Sequence, residues 1–443
     1  MSLLDPTFDH GVHPAEHKDA TADLPVERMP FVPRYVLPLS QHAGAPAKAR
    51  VAIGQRLARG ELIAEPGAYV SAAIHSPVEG RVVALGARPH PSGRLVDAVE
   101  IETDPFSSQA LPSAPPVDWA SLSEEELVAS MQRGGLVGMG GAAFPTHVKY
   151  RTNPAKPVER LVVNGCECEP YLTADHRLMV ERPEAVVEGT RIAAARLGAR
   201  EAVIGVERNK PDAIAALVAA IPAGEPIRVQ GLRVKYPQGA EKMLIRALFD
   251  LEVPSGGLPL DLGIVVNNVG TVTAIGDWLL RGAPLIERIV TVAGPGIRRP
   301  ANLLVPIGTP VRAVLEHCGG LLPATREVVM GGPMMGSSLA TLDVPVLKGT
   351  SGLLAFTEHE TRMPTEYTCI RCGRCVEACP QLLNPSRLAK LARAGHWDRM
   401  EDWFVRDCVE CGSCSFACPS GIPIVQLIRT AKSAIRGRES KAS

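Results

Sequence analysis

The chain has 443 residues, of which 46% are hydrophobic, and its 47 basic residues balance 47 acidic ones. This length suffices for about three or four domains with apolar cores. A formal net charge of zero gives no indication of a nucleic-acid-binding protein. No apolar run reaches the ~18–20 residues that span a bilayer. The N-terminus lacks the charged and apolar regions of a signal peptide, so we expect a cytoplasmic location.

Residues 1–34 are polar and contain His10, His13 and His17 close to Asp9. These side chains are suitable metal ligands, but the segment has no evident framework that would fix their geometry. We therefore predict an N-terminal arm lying on the surface.

Residues 35–115 contain short β-prone segments broken by Gly and Pro, which is typical of a small sandwich or barrel. The run from His75 to Val82 resembles one half of a biotinyl/lipoyl-type barrel-sandwich domain. The carrier lysine of such domains is absent from the predicted hairpin. We predict a structural or docking domain that carries no covalent cofactor.

A glycine-rich stretch follows a predicted helix that begins with the capping box Ser123-x-x-Glu126. Five glycines fall within residues 134–141, where they would let the backbone approach a ligand with its N–H groups pointing inward. Lys149 would add a positive charge for a phosphate. The pattern matches neither of the standard phosphate-binding motifs, so composition alone leaves a nucleotide site and an ordinary loop equally open.

Strands and helices then alternate, which predicts a parallel, doubly wound sheet. Ligands of such sheets bind beyond the carboxyl ends of the strands. Polar turns occur there at residues 164–170 and 236–241 and at Asn267-Asn268. Each turn could be only a helix cap, but their convergence on one edge favours a site. The predicted strands are 160–164, 202–206, 226–229 and 263–267, and the predicted helices are 184–197, 212–220, 241–249 and 274–280.

The C-terminal region repeats the motif C-x2-C-x2-C-x3-C-P, beginning at Cys369 and again at Cys408. This run holds [4Fe–4S] clusters in bacterial ferredoxins, where the fourth cysteine of each run ligates the other cluster. Helices are predicted at 385–393, 398–405 and 424–435. The predicted ligand sets are Cys369, Cys372, Cys375 and Cys418 for cluster 1, and Cys408, Cys411, Cys414 and Cys379 for cluster 2.

Zinc and disulfides are the alternatives for these cysteines. Structural zinc sites use CxxC pairs separated by a longer spacer, and a third cysteine three residues after the pair fits them poorly. Eight cysteines within about 50 residues of a large chain without a secretion signal do not resemble a secreted disulfide framework.

The stretches 138–149, 164–170, 236–241 and 267–271 resemble the flavin site of the NADH-binding flavoprotein subunit of respiratory complex I. Residues 286–358 resemble a soluble-ligand-binding β-grasp module, with residues 311–317 as its helix. The order of all domains resembles the C subunit of the Rnf (Rsx) electron-transport complex. The fold that this implies is multidomain: an arm (1–34), a barrel-sandwich hybrid (35–115), a Rossmann-like parallel α/β flavin domain (116–285), a β-grasp module (286–358) and a helical two-cluster ferredoxin domain (359–443).

The resemblance implies non-covalent FMN and NAD(H) as substrate. Cys166, Ala240 and Gly270 depart from the complex I pattern, which weakens individual NADH contacts more than FMN binding. We interpret Cys166 and Cys168 as thiols packed near the flavin. By resemblance, Gly138, Gly140, Gly141 and Lys149 would line the FMN phosphate and ribityl chain, Asn164, Asn267, Asn268 and Thr271 would bond the flavin, Glu167, Glu169, Tyr236, Gly239 and Glu241 would border flavin and nicotinamide, and Phe144 would stack on the dinucleotide.

The function that the resemblance implies is electron input to a membrane NAD:ferredoxin oxidoreductase complex, from its cytoplasmic face. The flavin would exchange a hydride with NAD(H) and pass single electrons to the clusters; Glu167 and Glu169 would set the local electrostatics. Other subunits of the complex, with ferredoxin or flavodoxin beyond them, are the expected partners, and they would move the ions. The alternatives are a cobalamin reductase-type flavin and iron–sulfur protein, and a non-catalytic electron-wire or docking subunit.

Overall fold

The computed structural model describes residues 5–112, 117–151, 153, 155–362 and 364–442. The predicted domain boundary at 115/116 falls outside these residues. No helix within the described ranges combines the length and apolar character needed to cross a membrane.

The barrel-sandwich fold predicted for the N-terminal region is confirmed. Its long hairpin packs antiparallel against the first strand of the domain, and alternate side chains such as Val82, Val99 and Ile101 point into the core. The strands up to residue 103 are β1 (Val26–Arg28), β2 (Arg34–Pro38), β3 (Lys48–Ala49), β4 (Arg56–Leu57), β5 (Leu62–Glu65), β6 (Ile74–His75), β7 (Gly80–Pro89) and β8 (Leu95–Thr103).

The central domain is a parallel sheet with helices on its faces, as predicted. The first helix begins at the predicted capping box. The Ser123 hydroxyl accepts from the Glu126 amide, and the Glu126 carboxylate accepts from the Ser123 amide. The helix Ala174–Glu181 was not predicted. The elements are α1 (Glu124–Arg133), a 3-10 turn (Thr146–Tyr150), β9 (Arg160–Asn164), α2 (Ala174–Glu181), α3 (Pro183–Leu197), β10 (Glu201–Glu207), α4 (Pro211–Ala220), β11 (Ile227–Leu232), α5 (Glu241–Phe249), a second 3-10 turn (Pro259–Leu262), β12 (Ile264–Asn268) and α6 (Val269–Arg281).

The strand order of this sheet is β11-β10-β9-β12, with every neighbouring pair parallel. The chain therefore builds outward from β9 in one direction and then crosses to place β12 on its other side. Ligands of doubly wound sheets bind at this reversal, beyond the carboxyl ends of the two strands that flank it. Continuous apolar runs such as Leu161–Val163 are buried because helices cover both faces.

A mixed sheet with order β1-β14-β13-β17-β15-β16 forms the β-grasp module. Its helix has the predicted bounds, and its apolar face packs on Val290, Val292 and Leu303. The elements are β13 (Glu287–Ala293), β14 (Ala301–Pro306), α7 (Val311–His317), β15 (Thr325–Met330), β16 (Ser337–Ser338), β17 (Gly352–Thr357) and α8 (Glu358–Thr361).

The N-terminal arm is anchored by several buried residues, and the prediction of an arm lying on the surface did not include this packing. Phe8, Val12 and Thr21 are buried, and β1 adds a parallel strand to the β-grasp sheet beside β14. The sequence pattern missed this packing because each buried side chain meets a partner far away in the chain.

Short helices around the cysteine runs form the C-terminal domain, with Leu388, Leu391 and Ile428 in its core. The helix predicted for 398–405 is wrong in its second half, because Phe404 has a left-handed backbone with φ of 54°. The last helix is longer than predicted. The elements are α9 (Arg374–Glu377), α10 (Pro385–Arg393), α11 (Asp398–Glu401), a 3-10 turn (Val405–Asp407), α12 (Ser413–Phe416) and α13 (Ile424–Ala442).

Candidate functional site

Two asparagines end the strands that flank the reversal of strand order. Asn164 of β9 and Asn268 of β12 are direct register partners. The Asn164 amide donates to the Gly239 carbonyl (2.8 Å), and its oxygen accepts from the Cys166 amide (3.1 Å). This side chain thus ties the 236–241 turn to the 164–170 turn. The structure brings together the polar turns that the sequence placed at one edge.

Asn268 connects the same edge to two helices. Its Oδ1 accepts from the Gly270 amide (2.8 Å) as the N-cap of α6, and its Nδ2 donates to Asp175 of α2 (2.6 Å). The cap fixes the side chain so that its Cβ lies against the glycine loop, 3.7 Å from where a Cβ on Gly140 would be. Asn268 is therefore held at the base of this loop.

The glycine loop forms a narrow turn above the strand edge. The Gly138 amide donates to the Phe144 carbonyl (2.7 Å), and the Met139 amide donates to the Thr271 hydroxyl (2.9 Å). Gly141 has a φ of +101°, which disfavours any residue with a side chain, and a Cβ there would meet open space. A backbone cradle with an open face and the Asn268 edge beneath it fits a flavin phosphate and ribityl chain.

Lys149 lies between the loop and the sheet. Its ammonium donates to the Val266 carbonyl (2.8 Å) and lies 3.4 Å from Glu241. The neighbouring Asn267 is buried, and its amide donates to the Tyr150 hydroxyl (2.7 Å). Asn267 and Thr271 thus support the loop from within, and their contact with flavin stays a prediction.

The two glutamates of the 164–170 turn face different neighbours. Glu167 accepts from the amides of Asp175 (2.8 Å) and His176 (3.1 Å), so it caps the first turn of α2. Glu169 accepts from the Met334 amide (2.9 Å) of the β-grasp module. Its Oε1 is buried without a hydrogen-bond partner among the described residues. Burial raises the pKa of Glu169 to about 7.

Tyr236, Gly239 and Cys168 connect this edge to the ferredoxin domain. The Gly239 amide donates to the Cys168 sulfur (3.3 Å), and the buried Tyr236 hydroxyl donates to the Cys411 carbonyl (2.7 Å). Burial raises the pKa of the Cys166 and Cys168 thiols well above the usual range. Both cysteines are therefore packed, protonated thiols beside the turn.

Arg288 was missed by the sequence reasoning. This buried β13 side chain donates to the Met139 carbonyl (2.8 Å) and the Thr350 carbonyl (2.9 Å), and thereby supports the glycine loop from behind. Burial raises the pKa of Asp175 to about 7, aided by repulsion from Glu167 and opposed by Arg288. No local pattern marks an arginine in a β-grasp strand as part of this site, because its partners come from another domain.

A second overlooked group lies below the 164–170 turn. Lys210 and Glu207 form an ion pair (3.0 Å) with both side chains about 1% exposed. The Lys210 ammonium also donates to the Cys166 carbonyl (2.7 Å). Burial raises the pKa of Glu207, whereas the charges of Glu207 and Glu167 outweigh burial and raise that of Lys210. The strand-end turn thus lies on a buried, hydrogen-bonded charge pair.

The second cysteine run lines a cavity in the ferredoxin domain, next to Pro380 and Val425. The fourth cysteine of the first run lies in this cavity with three cysteines of the second run. The cavity is lined by Cys379, Cys408, Cys411 and Cys414.

Three of the remaining cysteines, Cys369, Cys375 and Cys418, are neighbours as well. Burial raises the pKa of Cys375, and the neighbouring Cys418 and Cys369 raise it further. Cys372 is exposed. The structure thus groups the thiols in the crossed arrangement, and their ligation of two clusters stays a prediction.

The number of thiols around this cavity matches the four ligands of a [4Fe–4S] cluster. Within the described ranges, no three His, Cys, Asp or Glu side chains converge closely enough to hold a single metal ion. Four thiols around one cavity can instead ligate the four irons of a cubane. The arm histidines have separate contacts: His10 bonds the Glu377 carbonyl (2.7 Å), and His17 stacks on Tyr171.

The sequence matches family models along most of its length. Residues 6–105 match the RnfC barrel-sandwich hybrid domain, and residues 131–277 match the Nuo51 FMN-binding domain. The SLBB domain matches residues 289–337, and a 4Fe-4S dicluster domain matches residues 368–423. These matches follow the order of the domains in the structure.

Relatives with known names match the chain almost from end to end. The C subunit of the proton-translocating ferredoxin:NAD(+) oxidoreductase complex of Clostridium ljungdahlii is 45% identical, covering 98% of this chain and 96% of the relative. Its Na(+)-translocating counterpart from Acetobacterium woodii is 42% identical, covering 100% of both. The C subunit of the ion-translocating oxidoreductase complex of Rhodobacter capsulatus is 42% identical, covering 97% of this chain and 83% of the relative.

Proposed function

Because the chain belongs to the family of C subunits of Rnf-type ion-translocating oxidoreductase complexes, we propose that it is the electron-input subunit of a ferredoxin:NAD(+) oxidoreductase complex. It exchanges electrons between NAD(H) and two [4Fe–4S] clusters by way of a bound FMN. The bound FMN supplies the step between two-electron hydride chemistry and the one-electron chemistry of the clusters.

One observation carries this proposal: the candidate flavin edge contacts the candidate cluster cavity directly. Tyr236 belongs to the turn that Asn164 ties to the strand edge, and its hydroxyl donates to the Cys411 carbonyl (2.7 Å). Tyr236, Cys411 and Ala378 share one small apolar cluster. This contact joins the two sites directly, which favours a relay between them.

The residues at the strand edge bind different parts of the FMN and of NAD(H). Gly138, Gly140 and Gly141 present backbone to the phosphate, and Lys149 adds a positive charge. Asn164 and Asn268 orient the flavin ring from the strand ends. The acidic side chains border the nicotinamide end and set its electrostatic potential. The remaining residues in these proposed binding roles are Phe144, Glu167, Glu169, Tyr236, Gly239, Glu241, Asn267 and Thr271.

The proposed place of the chain is the cytoplasmic face of the cell membrane, bound to other subunits of the complex. The names of its relatives describe complexes that translocate protons or sodium ions. We assign ion movement to the partner subunits and electron input to this chain. A barrel-sandwich domain ahead of the glycine loop distinguishes this arrangement from the cobalamin reductase type.

The test is an anaerobic measurement on cluster-replete protein. We expect FMN to co-purify, and NADH to bleach first the flavin absorbance and then that of the clusters. Lys149→Ala should lose most of its FMN, because the ammonium beside the loop is removed. Lys156→Ala is the matched control, because Lys156 pairs with Asp261 and is half exposed. Cluster-replete protein without flavin would contradict the proposal.

A further inference from the structure

The N-terminal arm crosses the proposed dinucleotide edge. Val12 and Tyr236 exchange two backbone hydrogen bonds of 2.8 and 2.9 Å. The Tyr171 amide donates to the Glu16 carbonyl (2.8 Å), and the His17 ring stacks on the Tyr171 ring with centroids 4.8 Å apart. Residues 12–17 are thus held along the two turns that the proposed function assigns to NAD(H).

Lys18 ends this crossing and is buried. Its ammonium donates to the carbonyls of Glu167 (2.9 Å) and Glu169 (2.9 Å), and also to that of Leu172. An ammonium has three N–H donors and no acceptor, so each donor has one carbonyl. The side chain therefore gathers three carbonyls of a single turn on the side away from solvent.

The charge of Lys18 is consistent with this geometry. Burial lowers its pKa and Lys210 lowers it further, whereas Glu167 and Glu207 raise it. A neutral amine has only two hydrogens, and its lone pair would face the third carbonyl. The three carbonyls therefore favour the protonated form.

The turn that Lys18 holds has a backbone that would not persist by itself. Glu167 and Tyr171 adopt left-handed conformations, with φ of 45° and 68°. Such a conformation is unfavourable for a residue with a side chain, and it persists only where surrounding contacts enforce it. Lys18 bonds the carbonyl of Glu167 and, one residue beyond Tyr171, that of Leu172.

We propose that Lys18 is a positioning residue of the NAD(H) site, acting from the N-terminal arm to fix the turn that carries Glu167 and Glu169. This inference rests on the proposed function, which assigns that turn to dinucleotide binding. Among the residues that the structure describes, the Lys18 ammonium donates its hydrogen bonds to carbonyls of this turn, so its effect reaches the dinucleotide through the orientation of the two glutamates.

The test compares Lys18→Met with the wild type in FMN- and cluster-replete protein. Methionine keeps an apolar stem in the buried site and removes all three donors. We expect the KM for NADH to rise about tenfold, because a misplaced turn weakens binding and orientation. FMN content, iron content and cluster reduction by dithionite should stay at wild-type values. A loss of packing alone would lower the cofactor contents instead.

Lys235→Met is the matched control. The Lys235 ammonium donates to the Phe8 carbonyl of the arm (2.8 Å). Like Lys18→Met, this variant removes a lysine bond between the arm and the flavin domain, but it removes no bond to the turn at residues 166–172. Its KM should stay within about twofold of the wild type. An unchanged KM in Lys18→Met, or an equal rise in Lys235→Met, would overturn the proposal.

A second variant tests the proposal if Lys18→Met does not fold. His17→Ala removes the stacking on Tyr171 from an exposed side chain, and we expect a KM increase of about two- to threefold. No increase there, with Lys18→Met unfolded, overturns the proposal. Hydrogen exchange of amides 166–172 gives a readout independent of NADH: it should rise in Lys18→Met even if the wild-type protein does not oxidise NADH.

Discussion

The Tyr236 hydroxyl donates a hydrogen bond of 2.7 Å to the Cys411 carbonyl, joining the strand-edge turn to a cysteine of the second cluster motif. Tyr236 is almost fully buried, and burial together with the charge of Glu169 raises its pKa above the usual range. The hydroxyl is therefore a fixed hydrogen donor at working pH. The contact identifies the cavity lined by Cys411 as the one that faces the proposed flavin site.

Tyr236→Phe should slow electron passage between the two domains. The substitution leaves the Cys411 carbonyl buried without its donor, at a cost of about 1–3 kcal/mol. We expect unchanged FMN and iron contents and a several-fold slower reduction of the clusters by NADH, measured by anaerobic stopped-flow absorbance. Tyr367→Phe is the control, because Tyr367 is exposed on the ferredoxin domain. Equal cluster reduction rates in both variants would contradict this role.

The crossed ligation of the clusters can be tested by pairs of substitutions. Cys379→Ser and Cys418→Ser should each lower iron from about eight to about four per chain. Adding Cys408→Ser to Cys379→Ser should cause no further loss, because both ligands belong to one cluster. Adding Cys369→Ser to Cys379→Ser should remove both clusters. Cys318→Ser, in the β-grasp core, should keep its iron. The opposite pattern of double variants would show uncrossed ligation.

Gly141→Ala should reduce FMN affinity more than it reduces stability. The left-handed backbone at Gly141 (φ +101°) strains an added side chain by about 1 kcal/mol, and the new methyl group enters the open face of the loop. Gly93→Ala is the control. Gly93 lies at the tip of the β7–β8 hairpin with a similar backbone (φ +78°), and a methyl group there would also meet open space. We expect comparable thermal midpoints and a weaker FMN affinity in Gly141→Ala alone, measured by flavin fluorescence. Equal affinities would remove the loop from the flavin site.

Glu169 should make stability depend on pH. Burial raises its pKa from 4.5 to about 7 in the folded protein, so the folded state binds the proton more tightly than the unfolded state does. The stabilisation is complete below pH 4.5 and is lost as the pH rises through about 7. Glu169→Gln keeps an acceptor for the Met334 amide and stays neutral.

The measurement is the apparent thermal midpoint of both proteins between about pH 4 and 8, a window set by these pKa values. The variant should match the wild type at the acidic end and exceed it at the basic end. The titration of Asp175 contributes to the thermal midpoints of both proteins, so it does not change the difference between them. A constant difference across the range would mean that Glu169 does not titrate there.

Local sequence patterns were enough to predict the classes of the domains and most of their helices and strands. Alternating apolar segments predicted the parallel sheet because helices bury both of its faces, and the helix at Glu241–Phe249 has the predicted bounds. The repeated cysteine runs indicated their chemistry because the spacing of ligands in one short segment is a local property. The capping box at Ser123 is local in the same way.

The groups from distant parts of the chain that meet at the site could not be predicted without the three-dimensional structure. Lys18 reaches carbonyls about 150 residues away, Arg288 supports a loop of another domain, and Tyr236 bonds Cys411. Lys18 and Arg288 belong to no periodic pattern or motif, and the stretch that contains Tyr236 does not predict its bond to Cys411, because a buried polar group is recognised by the partner that satisfies it. That partner is set by the packing of domains, which no single stretch of sequence encodes.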